Sequence, residues 1–181
     1  MISMHRPRGF RVPRVRGGVL AAVLAAASLA SGVGGGQTAG AASVPNPCKV
    51  LKSAEIEAAF GVAPSPPSRA AREISSTSCS WTVTNSPDFG TGEVIVTVTF
   101  ANAKPGYQRL ARDARFTTLT KSADGIDGIY APNPLSTVNA LKGSKMLGVQ
   151  GVFIDTSVRP VVEVEVKDPL VELARAGVKR I

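Results

Sequence analysis

The sequence predicts an α+β domain with a single twisted antiparallel sheet and about three helices packed on one face. Two runs within residues 78–101 alternate apolar and polar residues with a period of two, which is typical of half-buried antiparallel strands. The apolar positions are Cys79, Trp81 and Val83 in the first run and Val94, Val96, Val98 and Phe100 in the second. Three other segments carry apolar residues at helical spacing. The predicted order is helix, hairpin, helix, three or four strands, helix.

Residues 1–42 have the pattern of a secretory signal peptide. Five arginines precede an Ala-rich apolar run, Val19–Val33, and Ala39-Gly40-Ala41 is a plausible cleavage site. The run is short for a bilayer-spanning helix, although an uncleaved anchor is the alternative. The prediction is a flexible linker at residues 43–47, a single domain over 48–181, and no stable membrane anchor after cleavage.

The positive charge lies largely in this leader. The chain has 21 Lys and Arg against 13 Asp and Glu, and removing the five leader arginines leaves 16 against 13, a net charge of +3. Nucleic-acid binding needs a clustered basic stripe, which the remaining sequence does not show. We therefore expect a protein that is secreted or associated with the cell wall and does not bind nucleic acid.

Histidine and cysteine limit the chemistry. The single histidine, His5, lies in the leader, so the mature chain has no Ser-His-Asp triad, Cys-His dyad or His-ligated zinc site. Cys48 and Cys79 form an even pair, which in an exported protein predicts a disulfide, with two free thiols as the alternative. These observations predict no catalytic residue, no metal and no cofactor.

The first predicted helix is Ala54–Phe60, with Ser53 as its N-cap and Gly61 ending it. The prolines of Pro64–Ser68 prevent further helix. Arg69–Ser76 is polar and is predicted to be a loop or a weak strand.

The second predicted helix begins at Lys104-Pro105-Gly106 and continues to about Ala114. Tyr107, Leu110, Ala111 and Ala114 form its apolar stripe. Arg109, Arg112 and Arg115 lie off that stripe. They are interpreted as a solvated helix face, with an anion site as the alternative.

The next segment, Ala123–Ala131, is predicted to be a glycine-marked turn leading into a strand. Asp124 and Asp127 could suggest calcium, but the run of alternating oxygen ligands that a calcium loop needs is missing. A second hairpin follows over residues 136–154, with Lys142-Gly143 as its turn. Gly151 on the inward face of that hairpin suggests a bulge or a close neighbour.

The last strand is predicted at Pro160–Lys167, with Glu163 and Glu165 on its outward face. This carboxylate pair is the one weak candidate for a surface site, because two carboxylates can perform acid–base chemistry. The alternative is the wet face of an amphipathic strand. Asp168 and Pro169 are predicted as N-cap and N1 of a final helix. Its apolar stripe consists of Leu170, Leu173, Ala174, Gly177, Val178 and Ile181.

Several short motifs occur together in order: Pro47-Cys48-Lys-Val-Leu51, Cys79-Ser-Trp81, Gly125-Ile-Asp127-Gly128, and Leu141-Lys142-Gly143. In this order the chain resembles the actinobacterial cell-envelope proteins grouped as domain-of-unknown-function family three-five-five-eight. The resemblance spans most of residues 45–181 and also implies the Cys48–Cys79 disulfide. Many members are lipoproteins, whereas here Gly32 stands where the lipobox cysteine would be, so the resemblance is to a non-lipidated variant.

The family resemblance implies no activity. The two-half arrangement is also similar to Mog1/PsbP-like domains, which are mostly binding or assembly modules; this is an analogy of fold. The favoured function is a non-enzymatic exported module that binds an envelope ligand or protein partner. The alternatives are a carboxylate-based hydrolase acting on envelope glycans, and an extracellular sensor or inhibitor that docks a partner along a strand edge. Trp81 is interpreted as core packing beside the disulfide, with a ligand platform as the alternative.

Overall fold

The computed structural model describes residues 45–69, 72–132, 136–155 and 162–181 of the 181-residue chain. The predicted signal peptide, its cleavage site and the first residues of the predicted linker lie outside this part. None of the helices in the described part is both long and apolar enough to span a membrane.

The helices and the two hairpins follow the predicted order, but a two-residue strand precedes the first hairpin, and the described residues form five strands, not three or four, between the second and third helices. The helices are α1 (Ser53–Phe60), α2 (Ala103–Leu110) and α3 (Lys167–Gly177), with short 3-10 helices at Pro47–Lys49 and Val178–Arg180. The strands are β1 (Ser68–Arg69), β2 (Ser76–Ser86), β3 (Gly90–Thr99), β4 (Thr117–Leu119), β5 (Gly128–Ala131), β6 (Ser136–Lys142), β7 (Lys145–Asp155) and β8 (Val162–Glu163).

All strand pairs are antiparallel and belong to one sheet, in the order β1-β2-β3-β7-β6-β5-β4, with β8 pairing the end of β7. The two long hairpins, β2–β3 and β6–β7, meet at the β3–β7 pairing in the middle of the sheet. The α+β class and the single antiparallel sheet are therefore confirmed. Gly143 turns the second hairpin in the left-handed conformation, at φ +59°, as the Lys142-Gly143 pattern predicts.

The core lies on the face formed by the alternating apolar residues of the two hairpins. Along one row, Trp81 pairs with Val94 and Val94 with Gly151. The next row pairs Cys79 with Val96 and Val96 with Val149. Helices α1 and α3 pack on this face, with the predicted stripe residues Leu170, Leu173, Ala174 and Gly177 buried. Period-two strands and an apolar helix stripe thus form one core, as predicted.

Gly151 supplies the space that α3 needs. A Cβ added at Gly151 would lie 2.7 Å from Val166 Cγ2 and 3.3 Å from Leu170 Cδ2. Distances this short are not tolerated in a packed interior, so the glycine allows the start of α3 to approach the sheet. Of the two predicted reasons for Gly151, a close neighbour is the one observed.

Helix α2 is positioned differently from α1 and α3. Helix α2 contacts β6 and β7, and α3 already occupies the core face of these two strands. Ala103 of α2 is buried but is not part of the core cluster. Ile129 and Asn139 pair on the opposite side of the sheet and are both buried. We conclude that α2 covers part of the reverse face, so the placement of all helices on one face holds only for α1 and α3.

The helix ends differ from the predictions by a few residues. Helix α1 starts at Ser53 itself, and the backbone N–H of Lys52 donates to Glu55 Oε2 at 2.8 Å. Helix α3 starts at Lys167, so Asp168 is inside its first turn and not the N-cap. Carboxylates in the first turn still stabilise a helix through its dipole. Gly61 ends α1 at φ +72°, as predicted.

Helix α2 is shorter than predicted. It ends at Leu110, and Ala111 and Ala114 of the predicted stripe are exposed. The side chain of Asp113 accepts the backbone N–H of Arg115 at 3.0 Å, which is a turn geometry that competes with helix.

Cys48 and Cys79 form the predicted disulfide, with a Cα–Cα distance of 5.2 Å. The bond joins the first 3-10 helix to the middle of β2. Pro47, at the end of the predicted linker, is buried in that helix, and Asn46 caps it by accepting the N–H of Cys48 at 3.1 Å. The disulfide therefore holds the start of the domain against the sheet.

Candidate functional site

The two carboxylates predicted as a weak surface site differ in their surroundings. Within the described part of the predicted last strand, Val162 and Glu163 form β8 and residues 164–166 are not strand, while Pro160 and Val161 lie outside the described residues. Glu163 and Glu165 are both exposed. Glu165 Oε1 accepts a hydrogen bond of 2.8 Å from the hydroxyl of Tyr130, which is 4% exposed. Glu165 thus has a structural role as the acceptor for a buried phenol.

Glu165 also lines a surface hollow of about 360 Å³ beside the start of α3. The second carboxylate in that hollow is Asp168, not Glu163. Lys167 lies between them in sequence and places its Nζ 5.7 Å from the centre of the Tyr130 ring. The hollow therefore contains a carboxylate that already accepts a hydrogen bond and a nearby cation, and of the two predicted site residues Glu165 lines it.

The environment of Tyr130 predicts a pH effect on stability. Burial, together with the hydrogen bond to Glu165, raises the pKa of Tyr130 to about 12. A hydrogen bond with Ser136 acts in the opposite direction and offsets part of this rise. Because the pKa of Tyr130 is higher in the folded chain than in the unfolded chain, the protonated phenol stabilises the fold. This stabilisation is complete below the unfolded pKa of about 10 and is lost as the pH rises toward 12. Between these values we expect stability to fall by up to about 1.4 kcal/mol per pH unit because of this group.

Urea unfolding at several alkaline pH values measures the effect. Tyr130→Phe is expected to show a shallower fall in the free energy of unfolding than the native sequence. Tyr107→Phe is the matched control. Burial raises the pKa of Tyr107 as well, but this side chain is only partly buried, so its replacement should change the slope less than Tyr130→Phe does. Equal slopes for the native chain and Tyr130→Phe would contradict the prediction.

The three arginines near α2 lie at the protein surface. Arg109, Arg112 and Arg115 are all exposed, and Arg115 pairs with Asp113 at 2.8 Å. The hydrogen bonds from Arg115 lower the pKa of Asp113 to about 2. This arrangement agrees with the interpretation as a solvated face.

The strand edges offer little to a docking partner. The long strand β2 pairs with β1 on its outer side, and the backbone N–H of Ser65 donates to Thr82 O at 2.8 Å. Ser65 Oγ in turn accepts the N–H of Thr82 at 2.9 Å. The Pro-rich segment thus covers this edge, and the opposite edge strand, β4, has three residues. Short or covered edges are how proteins prevent strand addition.

The best-formed concave surface in the described part of the chain lies between the end of α3, the turn after β4 and the end of β6. We call it the cationic groove, and its volume is about 470 Å³. It is lined by Lys121, Gly125, Ile126, Asp127, Leu141, Lys142, Arg175, Val178 and Lys179. This volume is within the range of small-molecule sites, which is roughly 300–1,000 Å³.

The groove is electrostatically positive. Four cationic side chains line it against one carboxylate, Asp127, which pairs with Lys121 at 3.3 Å. Two of the cations are held by backbone carbonyl groups. Lys142 Nζ donates to Lys179 O at 2.9 Å, and Arg175 Nε donates to Asp124 O at 3.2 Å. A carbonyl positions a cation without cancelling its charge, so the groove has a formal charge of 4 − 1 = +3.

The floor of the groove is apolar and well supported. Ile126 is 4% exposed and belongs to the core, while Val178 packs against the core and Leu141 is partly buried. Gly125 has φ +69°, and a Cβ added there would lie 2.6 Å from Arg175 Nε. Glycine suits residue 125 because its left-handed backbone conformation is strained for other residues, and it leaves room for the guanidinium in its present position. A rigid core residue and a positioned arginine together define the site.

Sequence reasoning did not find this groove. It identified the turn around Gly125, the Lys142-Gly143 hairpin and Lys179 at the end of the last helix, but each as a structural feature of its own. The lining residues come from segments about 50 positions apart, as in the bond from Arg175 to Asp124 with its separation of 51 residues. Positive charge at three separate turns was the available signal, and it is too common to indicate a site by itself.

Comparison with models of protein families found no match, and searches of curated proteins and of solved structures found no similar protein. The resemblance to the actinobacterial envelope family therefore stays a prediction, as does the similarity to Mog1/PsbP-like domains. The candidate site rests on the geometry of this chain alone.

Proposed function

We propose that this protein is an exported cell-envelope module that binds a small ligand in the cationic groove and catalyses no reaction. The observation that carries the proposal is the groove itself, which combines a positive rim with an apolar floor of core residues. Concave sites with a largely apolar lining and a few positioned polar groups are typical of ligand binding.

Export is supported by the disulfide. Cys48 and Cys79 are bonded, and disulfides persist in oxidising compartments outside the cytoplasm. Secretion or association with the cell wall is the finer statement, and it rests on the leader pattern of residues 1–42. The binding function is favoured over strand-edge docking because β1 and the Pro-rich segment cover β2.

The test starts from protein purified from its own host. Bound small molecules are extracted with organic solvent and quantified by mass spectrometry, relative to the protein. Lys142→Glu combined with Lys179→Glu reverses two charges at the groove, and Lys104→Glu changes an exposed lysine on α2. We expect a small molecule that accompanies the native chain and Lys104→Glu, and that falls at least tenfold in the double variant.

Equal amounts of every small molecule in all three proteins would contradict the proposal. The hydrolase alternative makes a different prediction, because it requires turnover of envelope glycans that is lost in Glu163→Gln or Glu165→Gln. Turnover of that kind, with no ligand that depends on the groove, would favour the alternative.

A further inference from the structure

We infer that the ligand of the cationic groove is a single-chain amphiphile with an anionic headgroup; this inference rests on the proposed function. The headgroup lies among the cations of the rim, and the alkyl chain covers Ile126, Leu141 and Val178. The cationic rim and the apolar floor fit different parts of a ligand. A purely polar anion would interact with the rim alone, and a neutral hydrocarbon would interact with the floor alone.

The charge of the site favours an anion. The formal charge of the lining is +3, and the end of α3 adds roughly half a negative charge from its unsatisfied carbonyl groups. Lys142 donates to the carbonyl of Lys179, in the 3-10 helix that follows α3, and so further reduces the negative potential at this end. The net field is therefore positive. A negatively charged group there makes charge-assisted hydrogen bonds, which are stronger than neutral ones.

The floor favours an apolar chain. Ile126 is anchored in the core, and its side chain together with those of Leu141 and Val178 forms the apolar part of the lining. Covering apolar surface is favourable by about 25 cal/mol per Å². A free inorganic anion gains nothing from these residues, whereas a ligand with an alkyl chain does.

The groove favours a single molecule over a membrane surface. Its cations converge on one concavity between three segments of the chain. Membrane-surface proteins instead display basic residues along the polar face of an amphipathic helix. The exposed arginines near α2 do not line the groove, and Arg115 is already paired with Asp113.

Calorimetric titration with decyl phosphate below its micelle concentration tests the inference, using the oxidised protein recovered from its host. We expect saturable binding of one molecule, at least tenfold weaker binding of decanol, and at least tenfold weaker binding of inorganic phosphate. Decanoate, with the same chain length, shows whether a carboxylate also serves as headgroup. Raising the salt concentration should weaken binding of decyl phosphate because ionic strength screens exposed charges.

A pair of matched variants locates the site. Lys142→Gln with Lys179→Gln removes two charges from the groove, and Lys104→Gln with Arg112→Gln removes two exposed charges elsewhere. We expect only the first pair to weaken binding of decyl phosphate at least tenfold, with unchanged binding of decanol. All four residues are exposed, so thermal unfolding should confirm that both double variants remain folded.

Three results would overturn the inference. The first is equal affinity for decyl phosphate and decanol. The second is an equal loss of affinity for decyl phosphate in the two double variants. The third is binding to vesicles of anionic phospholipid by a protein that does not bind monomeric decyl phosphate. The extraction experiment separates this failure from that of the proposed function. If the extracted ligand depends on the groove but has no anionic group, the proposed function is supported and the inference is wrong. If no extracted ligand depends on the groove, both are wrong.

Discussion

Replacing Cys48 and Cys79 together by alanine is expected to lower the free energy of unfolding by roughly 3–4 kcal/mol. The bond closes a loop with a sequence separation of 31 residues, and Cys79 is 0% exposed. Removing it restores conformational freedom to the unfolded chain and leaves a small void beside β2. Urea unfolding followed by circular dichroism measures the change.

Chemical reduction provides the matched control for this prediction. The native chain with dithiothreitol should unfold at nearly the same urea concentration as the double alanine variant without it. The variant itself should not respond to the reductant, because both cysteines of the chain have been replaced. A variant that is within about 1 kcal/mol of the native chain would mean that core packing, not the disulfide, holds the start of the domain.

Trp81→Ala is expected to cost about 3–5 kcal/mol, the range for large aromatic side chains removed from a core. Trp81 is 1% exposed and lies on the same strand face as Cys79 and Val83, opposite Val94. Its truncation leaves a cavity between the sheet and its covering helices. Circular dichroism is the suitable probe, since Trp81 is the single tryptophan of the chain.

Trp81→Phe should be much less damaging than Trp81→Ala. Among the described residues, Trp81 Nε1 is buried and has no hydrogen-bond partner. A buried unpaired donor is itself costly, so replacing the indole by a smaller apolar ring removes that cost while keeping most of the packing. Both variants should bind decyl phosphate as the native chain does. Loss of binding with little loss of stability would instead indicate that Trp81 is a ligand platform.

The fold was predictable because each element has a period of its own. In β2 and β3, alternation over Cys79–Val83 and Val94–Val98 specifies which side chains face the core, whatever the strand order. In α3, the stripe from Leu170 to Gly177 does the same for a helix. Turn residues act locally too, as Gly61 and Gly143 show by their left-handed conformations.

The failures arose where two local structures compete for the same residues. Helix α2 ends at Leu110 although apolar residues continue at helical spacing, because Asp113 forms a turn with Arg115. The predicted last strand extends to Lys167, whereas residues 164–166 are not strand and Lys167 begins α3. Both outcomes depend on competition between local structures of similar free energy, which periodicity does not resolve.

The ion pair between Arg180 and Glu55 is a long-range contact that no local pattern indicates. Arg180 Nη2 lies 2.5 Å from Glu55 Oε1, and Arg180 Nη1 donates to Val50 O at 2.8 Å. The hydrogen bond from Arg180 lowers the pKa of Glu55. The pair joins residues 125 positions apart, so it ties the end of the chain to α1.

The sequence by itself determined the α+β class, the order of the three helices and the two hairpins, the core face of each hairpin and the disulfide between Cys48 and Cys79. These follow from periodicities and from composition, which act over a few residues or over the whole chain. The tertiary structure alone decided that α2 covers the reverse face, that Glu165 serves Tyr130, and that Lys142, Arg175 and Ile126 form one groove. Such features depend on which segments the folded sheet brings together, and neither spacing nor charge in the sequence encodes that proximity directly.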